Sequence, residues 1–279
     1  MSGAISLADW IGRGETADDI LAPGPALALW ALLDHPPPVE PPTHLPPLGH
    51  WLYGWNRPRQ SDLGADGHER LGRFLPPVDL PRRMWAGSRV VFHRPLAIGG
   101  PLRRQSTIAD IAAKEGRSGR LVFVTVRHRL FDRAADPAIE ETQDIVYRGP
   151  AKPGDAPAPL APPAGADWRR IVTPDPVLLF RYSALTFNAH RIHIDRAYAR
   201  QVEGYPGLVV QGPLTATLLL DLFLRQRPGL AVREFSFRGL APLFEGQAIA
   251  LGGKAKPAGA DLWALSADGR LAMTAEARI

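Results

Sequence analysis

The densest group of reactive side chains in the sequence is Asn188-Ala189-His190-Arg191-Ile192-His193-Ile194-Asp195, which holds two of the chain's eight histidines. Arg181, Arg191 and Arg196 surround it. A loop rich in His, Asn and Arg that leads into a helix suits acid–base work on an anionic substrate. His193 can be neutral near pH 7 and can take or give a proton. Asn188 can orient a water or a carbonyl. Further along, Gly212 heads the best long helical window, so its N–H is an orphan donor at the positive end of a helix dipole. Such an N–H can hold a developing oxyanion, as in thioester enolate chemistry. Each residue also has a plainer role. His193 reads as a hydrogen-bonded structural histidine, Asn188 as a loop cap, and Gly212 as a helix start with special backbone angles. His190 reads first as a packing residue. Arg191 and Arg181 can hold a carboxylate or a phosphate of an anionic ligand, or be solvated surface residues. Trp85 can line a ligand pocket or pack in the core.

The elements that must position these groups can be read around them. A short helix is expected from Asp175 to about Leu185, a second over Arg196–Val202, and the long one over Gly212–Leu224, where Pro213 suits the first turn. Strands are expected at Val232–Arg238, Ala248–Lys256, Asp261–Ala267 and Leu271–Ala277. The first half shows the same order. Helical candidates at Ser6–Gly12 and Ala26–Leu33 precede strands at Arg89–Phe92, Gln105–Lys114, Arg120–Leu130 and Glu141–Tyr147. Gly116-Arg117-Ser118-Gly119 is a hairpin turn signal. One central helix followed by an antiparallel meander, twice over, reads as two copies of one unit.

Composition bounds the rest. Proline is 29 of 279 residues and glycine 27, so long helices are confined to a few windows, while 45% hydrophobic residues suffice for a core. A proline cluster at 36–47 reads as a surface loop. A second, at 150–163, reads as a linker between units 1–149 and 164–279. The absence of cysteine removes disulfides, thiolate metal sites and Cys nucleophiles. The net charge of +5 comes from scattered cations, without a basic run that argues for nucleic acid. The N-terminus is not a secretory signal, and no apolar run reaches membrane-spanning length. The expectation is a soluble cytoplasmic protein.

Tyr182, the Asn188–Asp195 segment and Val209-Val210-Gln211-Gly212 running into an apolar helix together resemble the MaoC-like, R-specific enoyl-thioester hydratase pattern. That pattern reads Asp-x-Asn-Pro-(Ile/Leu)-His, with a His-Gly or similar pair before a central helix. The final His falls on His193 and the oxyanion glycine on Gly212. Asn188 stands at the acidic position, His190 at the Asn, Arg191 at the Pro, and Gln211 at the residue before the glycine. In the first half, Phe74-Leu75-Pro76-Pro77, Pro81-Arg82-Arg83-Met84-Trp85-Ala86-Gly87, Gly116–Gly119 and Gln143–Arg148 resemble the two-hotdog 3-hydroxyacyl-thioester dehydratases of the mitochondrial type. They are also similar to the bacterial mesaconyl-C4-CoA and itaconyl-CoA hydratases. The resemblance spans roughly residues 51–277.

What the resemblance implies is an α+β double hotdog, with two antiparallel sheets each wrapped around a helix. The first copy is degenerate and shapes the acyl and CoA site, and the second supplies the chemistry. The implied reaction adds water across the C2–C3 double bond of an acyl-CoA, chiefly a C5 dicarboxylic one that yields citramalyl-CoA. A medium-chain 3-hydroxyacyl thioester is the second reading, and a non-catalytic acyl-CoA-binding protein the third. A thioesterase would want an acidic residue on the central helix, which offers only Asp221. The implied site has His193 as base, Asn188 positioning water, and Gly212 holding the oxyanion. Arg191, His190, Gln211, Tyr182 and Trp85 contact substrate. No metal or redox cofactor is required. The implied partner is the acyl-CoA, and a monomer or a homodimer both fit.

Overall fold

The structure is a computed structural model that describes residues 6–116, 119–149 and 160–279. Ten strands form one antiparallel sheet in the order β1-β3-β4-β5-β2-β7-β10-β9-β8-β6. The first five are β1 (Gly14–Ile20), β2 (Arg82–Phe92), β3 (Pro101–Gly116), β4 (Gly119–Phe131) and β5 (Ile139–Arg148). The second five are β6 (Trp168–Val172), β7 (Glu234–Gly239), β8 (Ile249–Lys256), β9 (Gly259–Leu265) and β10 (Leu271–Arg278). Each half lays its first strand beside its third, then its fourth and fifth, and returns its second strand beside its fifth. This repeated order is the double hotdog. The two second strands meet at the centre, where β2 pairs antiparallel with β7 from Gly87↔Arg238 to Val91↔Glu234. That seam makes one sheet of the two expected ones.

The helices are α1 (Pro23–Leu32), α2 (Pro176–Leu185), α3 (Arg196–Gln201) and α4 (Gly212–Gln226). α2 starts where Asp175 accepts the N–H of Leu178 at 2.7 Å, with proline at its first position. α3 starts where Asp195 accepts the N–H of Tyr198 at 2.9 Å. α4 packs on β8, β9 and β10 and is buried from Leu214 to Phe223, as an apolar helix inside a curled sheet must be. α1 differs. It packs chiefly against α2 and the 3-10 turn at Gly49–Leu52, and Trp30 remains partly exposed although its segment is apolar all round.

The second-half strands fall within two or three residues of their expected bounds. Two strands escape the hydrophobic pattern. β1 (GETADDI) is a polar edge strand that alternates exposed and half-buried residues, and β6 (WRRIV) is a short edge strand at the opposite end. The meander is also incomplete. β7 follows α4 in sequence but pairs with β10 rather than β8. β3 and β4 form the expected hairpin, with Gly116 opposite Gly119; Arg117 and Ser118 lie outside the described residues. So do residues 150–159 of the proposed linker. The 36–47 cluster is a surface loop, tied down by a bridge from His44 to Ala97.

Candidate active site

A cavity of about 1060 Å³ opens between the halves. Its walls include the 188–194 loop and Gly212 from the second half, and β2 and the long 50–75 loop from the first. The 188–194 loop is built by local hydrogen bonds. α2 ends at Thr186, and Phe187 takes a left-handed φ of 50°, an uncommon conformation for a bulky residue and one that clusters at functional turns. The N–H of Asn188 then returns to Ser183 O at 2.9 Å. Asn188 Oδ1 accepts the N–H of His190 at 3.0 Å, an Asx turn, while its residue lines the cavity. The 3-10 turn Arg191–His193 follows, clamped to the segment that leads into α4 by the Val209 N–H to Ile192 O bond at 2.9 Å.

His193 is buried in that clamp. Its Nδ1 lies 2.7 Å from Val209 O. A carbonyl only accepts, so Nδ1 carries the proton and, in the neutral ring, Nε2 is left with a bare lone pair. Burial lowers its pKa to about 4, against a small raising effect of the Val209 carbonyl. At neutral pH His193 is an uncharged acceptor. Gly212 begins α4, and the first N–H groups of a helix lack internal partners. Its φ is outside the left-handed region, and a Cβ would sit 3.7 Å from Trp85 O. Neither strain nor crowding therefore demands glycine there, contrary to the plainer reading.

The other expected site residues divide. His190 is buried on the cavity wall, its ring 5.3 Å from that of His193. Tyr182 lines the cavity and is buried, which pushes its pKa up. Trp85 lines it too, its indole N–H shared between Gly87 O (3.1 Å) and Ser88 Oγ (3.0 Å) and its ring edge-on to Trp51. A β-bulge between Trp85 and Gly87 aims this stretch. Gln211 is outside the cavity lining. Its amide donates to Leu179 O (2.9 Å) and Ser183 Oγ (3.0 Å), pinning α4 to α2. Arg191 is likewise outside the lining: its guanidinium is held by Asp195 at 2.7 Å and Ala65 O at 3.0 Å and lies over the Tyr198 ring. Arg196 pairs with Glu245, and Arg181 is exposed. Asp221 is buried at the far end of α4, bound to His35 and Arg170 at 2.6 Å and to Arg225 at 2.8 Å. It is outside the cavity lining, so the acidic residue that a thioesterase reading needs is not at the site.

Three further residues come from the first half: His68 and Arg83 line the cavity, and Asp66 stands directly behind His68. Arg83 lies in the 81–87 motif, while Asp66 and His68 carry no local sequence signal. Asp66 and His68 sit on a turn that docks on the 188–191 loop. Asp66 O accepts the Arg191 N–H at 2.9 Å, and a Cβ on the intervening Gly67 (φ +89°) would overlap Ala189 O. His68 Nδ1 lies 2.9 Å from Asp66 Oδ2. Its ring sits 4.1 Å from that of His190. Burial would raise the Asp66 pKa, but the His68 hydrogen bond and charge outweigh it and hold the carboxyl below the usual range. Burial and the Arg83 cation lower His68 to about 4, against the Asp66 contribution. Arg83 on β2 lines the cavity. Among the described residues it has no carboxylate at ion-pair distance, and its charge bears on Asp66, His68, His190 and Tyr147. One donor atom each from Asp66, His68 and His190 lies within 4.8 Å of the others. The Asp66–His68 hydrogen bond and the His68–His190 ring contact together account for that spacing.

A second polar group lines the same cavity. Glu141 accepts from Ser88 Oγ (2.6 Å), Trp51 Nε1 (3.0 Å) and His50 Nε2 (3.2 Å). These bonds hold its pKa near 2 although burial opposes them. Arg104 lies beside it with a buried Nε that lacks a partner.

Comparison with known proteins places this geometry. The family model "Hydroxyacyl-thioester dehydratase type 2" matches residues 48–245. The chain is 50% identical to the mesaconyl-C(4)-CoA hydratase of Chloroflexus aurantiacus over 272 residues, 95% of each chain. It is 30% identical to the mitochondrial hydroxyacyl-thioester dehydratase type 2 of Schizosaccharomyces pombe, covering 74% of this chain and 77% of that one. A Mycobacterium tuberculosis protein described as a double hotdog fold superposes with a TM-score of 0.57 at 17% identity, over 98% of this chain and 97% of that one. With its repeated strand order, its glycine-headed buried helix and its neutral histidine at the motif position, the chain belongs to the hydroxyacyl-thioester dehydratase type 2 family of hydro-lyases.

Proposed function

We propose that this chain hydrates the C2–C3 double bond of a short, carboxylated enoyl-CoA, with mesaconyl-C4-CoA as substrate and citramalyl-CoA as product. The carrying observation is a wall of neutral histidines beside Arg83, a cavity cation without a carboxylate partner. Mesaconyl-C4-CoA bears its free carboxylate and its methyl group on C3, the carbon that takes the hydroxyl. The carboxylate must therefore lie next to the attacking water, and Arg83 is the cation whose charge bears on that wall. The 50% identity to a mesaconyl-C(4)-CoA hydratase supports the same substrate. A medium-chain acyl tail is disfavoured because Glu15, Arg104, Glu141 and Gln143 also line the cavity, and a hydrocarbon would have to desolvate them.

In the reaction, the thioester carbonyl accepts the Gly212 N–H. Water is held between Asn188 and the bare Nε2 of His193. As its oxygen bonds to C3, the π electrons move onto the thioester as an enolate, a neutral histidine takes the proton, and C2 is then protonated. The repeat units are 1–149 and 164–279, joined by 150–163. The chain works in the cytoplasm, as a monomer or a homodimer.

The test is loss of enoyl absorbance with mesaconyl-C4-, itaconyl- and crotonyl-CoA. Hydration of mesaconyl-C4-CoA is expected. Failure with all three would remove the enzyme reading, and release of free CoA would point to a thioesterase. Arg83→Gln should raise KM for mesaconyl-C4-CoA at least 10-fold more than for crotonyl-CoA, while Arg191→Gln should show no such selectivity. Equal effects of Arg83→Gln on both substrates would move the carboxylate elsewhere.

A further inference from the structure

The acidic position of the family motif is Asn188 in this chain, so the 188–193 loop brings no carboxylate to the proton transfer. Hydration still places a positive charge on whichever histidine takes the water's proton. Two histidines on the cavity wall present a bare Nε2, His193 and His68, with His190 between them at ring distances of 5.3 and 4.1 Å. What stands behind their Nδ1 atoms differs. His193 has the neutral carbonyl of Val209 at 2.7 Å. His68 has the Asp66 carboxylate at 2.9 Å, which fixes the tautomer and stabilises the imidazolium once it forms. The backbone locks the pair in place through the Asp66 carbonyl on the Arg191 N–H and through Gly67 against Ala189.

We infer that His68 is the catalytic base of this site and Asp66 the residue that positions and charges it, so that the first half supplies the carboxylate missing from the motif of the second. The inference rests on the hydratase reading above. The water oxygen bonds to C3, the π pair moves to the thioester oxygen, and the water's proton passes to His68 Nε2. The enolate then collapses as C2 takes that proton back, leaving His68 neutral and one water added. His193 orients the water. The charged and titratable groups bearing on His68 are Asp66 on its own turn, Arg83 from β2, and His190 and His193 from the facing loop; Tyr147 on β5 stands beside Arg83 and Asp66. Arg83 depresses the basicity of His68. A substrate carboxylate that pairs with Arg83 cancels this effect, so a carboxylated substrate strengthens its own base.

The experiment is steady-state hydration of mesaconyl-C4-CoA by wild type, His68→Asn and Asp66→Asn, with pH profiles. Asn keeps the donor toward Asp66 without a base, and Asp66→Asn keeps the shape of the turn; near-UV circular dichroism checks the fold of each. His68→Asn should lower kcat about 10²- to 10⁴-fold with KM within about 3-fold. Asp66→Asn should lower kcat at least 10-fold and move the acid limb of kcat/KM to lower pH, because the group that raises the His68 pKa is gone. An active wild type whose folded His68→Asn variant retains kcat within about 3-fold and the same pH profile would overturn the dyad alone. A wild type inactive on every enoyl-CoA would overturn the hydratase reading and the dyad with it.

Discussion

Burial sets the protonation of His193 and His68 before substrate arrives. His193 and His68 both titrate near 4, so at pH 7 neither needs to lose a proton first. His193→Ala should lower kcat by at least about 10², since the water loses its acceptor, and stopped assays at saturating substrate measure it. Gly212→Ala should fold, because a Cβ has room, yet lose rate as the methyl crowds the oxyanion donor; unchanged kcat would remove Gly212 from the reaction. At this scale the sequence was readable only where chemistry is local. Asn188, His190, His193 and Gly212 announce themselves by type and spacing on one loop and one helix start. Arg191 misled because its partner, Asp195, is one helical turn away and already serves as the α3 cap. Asp66 and His68 reach the 188–193 loop across more than a hundred residues of sequence, and nothing in a polar Gly-rich turn signals that. Arg83 fell inside the 81–87 motif without a role being read for it.

At the scale of elements, the site depends on where one turn meets one loop. Gly67 has a left-handed φ, and any side chain there would overlap the Ala189 carbonyl. Gly67→Ala should therefore push the 64–68 turn off the 188–191 loop, breaking the Asp66–Arg191 backbone bond and withdrawing His68. The expected result is a kcat loss comparable to that of His68→Asn, together with a fall in melting temperature. A Gly67→Ala variant with wild-type kcat would show that the docking is dispensable. Gly87 has the same logic at the β2·β7 seam, where a Cβ would overlap Phe237 O. Strand existence was legible wherever one face is apolar, as in β4 with its buried Val122, Val124 and Val126. β1 and β6 were missed because edge strands with charged faces carry little hydrophobic alternation. The resting place of α1 against α2 rather than within its own sheet is a tertiary choice that periodicity does not encode.

At the scale of the whole molecule, the seam between β2 and β7 lets a single cavity draw on both halves, and the resulting burial of titratable groups links stability to pH. His128 and His193 are buried and lowered to about 4 from an ordinary 6.5. His128 bridges Ser106 Oγ and Gln143 Oε1, at 2.8 Å each, inside the first half. Below pH 6.5 the unfolded chain binds these protons and the folded chain does not, so the unfolded state holds more protons and stability falls as pH drops. The loss runs from about pH 6.5 to about 4 and is on the order of 1–3 kcal/mol per histidine. Glu141 adds a second step in the same direction. Its folded pKa near 2 lies below the ordinary 4.5, so its contribution is present above 4.5 and is lost as pH falls toward 2. Urea titrations at pH 7.5, 6, 5 and 4 should show midpoints falling steeply below pH 6.5 with an unchanged slope. His128→Gln, which keeps polar contacts to Ser106 or Gln143 but cannot be protonated, should flatten part of the fall between pH 6.5 and 4. Since His128 lies in the first half and His193 in the second, tryptophan fluorescence and circular dichroism should report a single coincident transition at each pH. Two separated transitions would mean that the β2·β7 seam does not couple the halves.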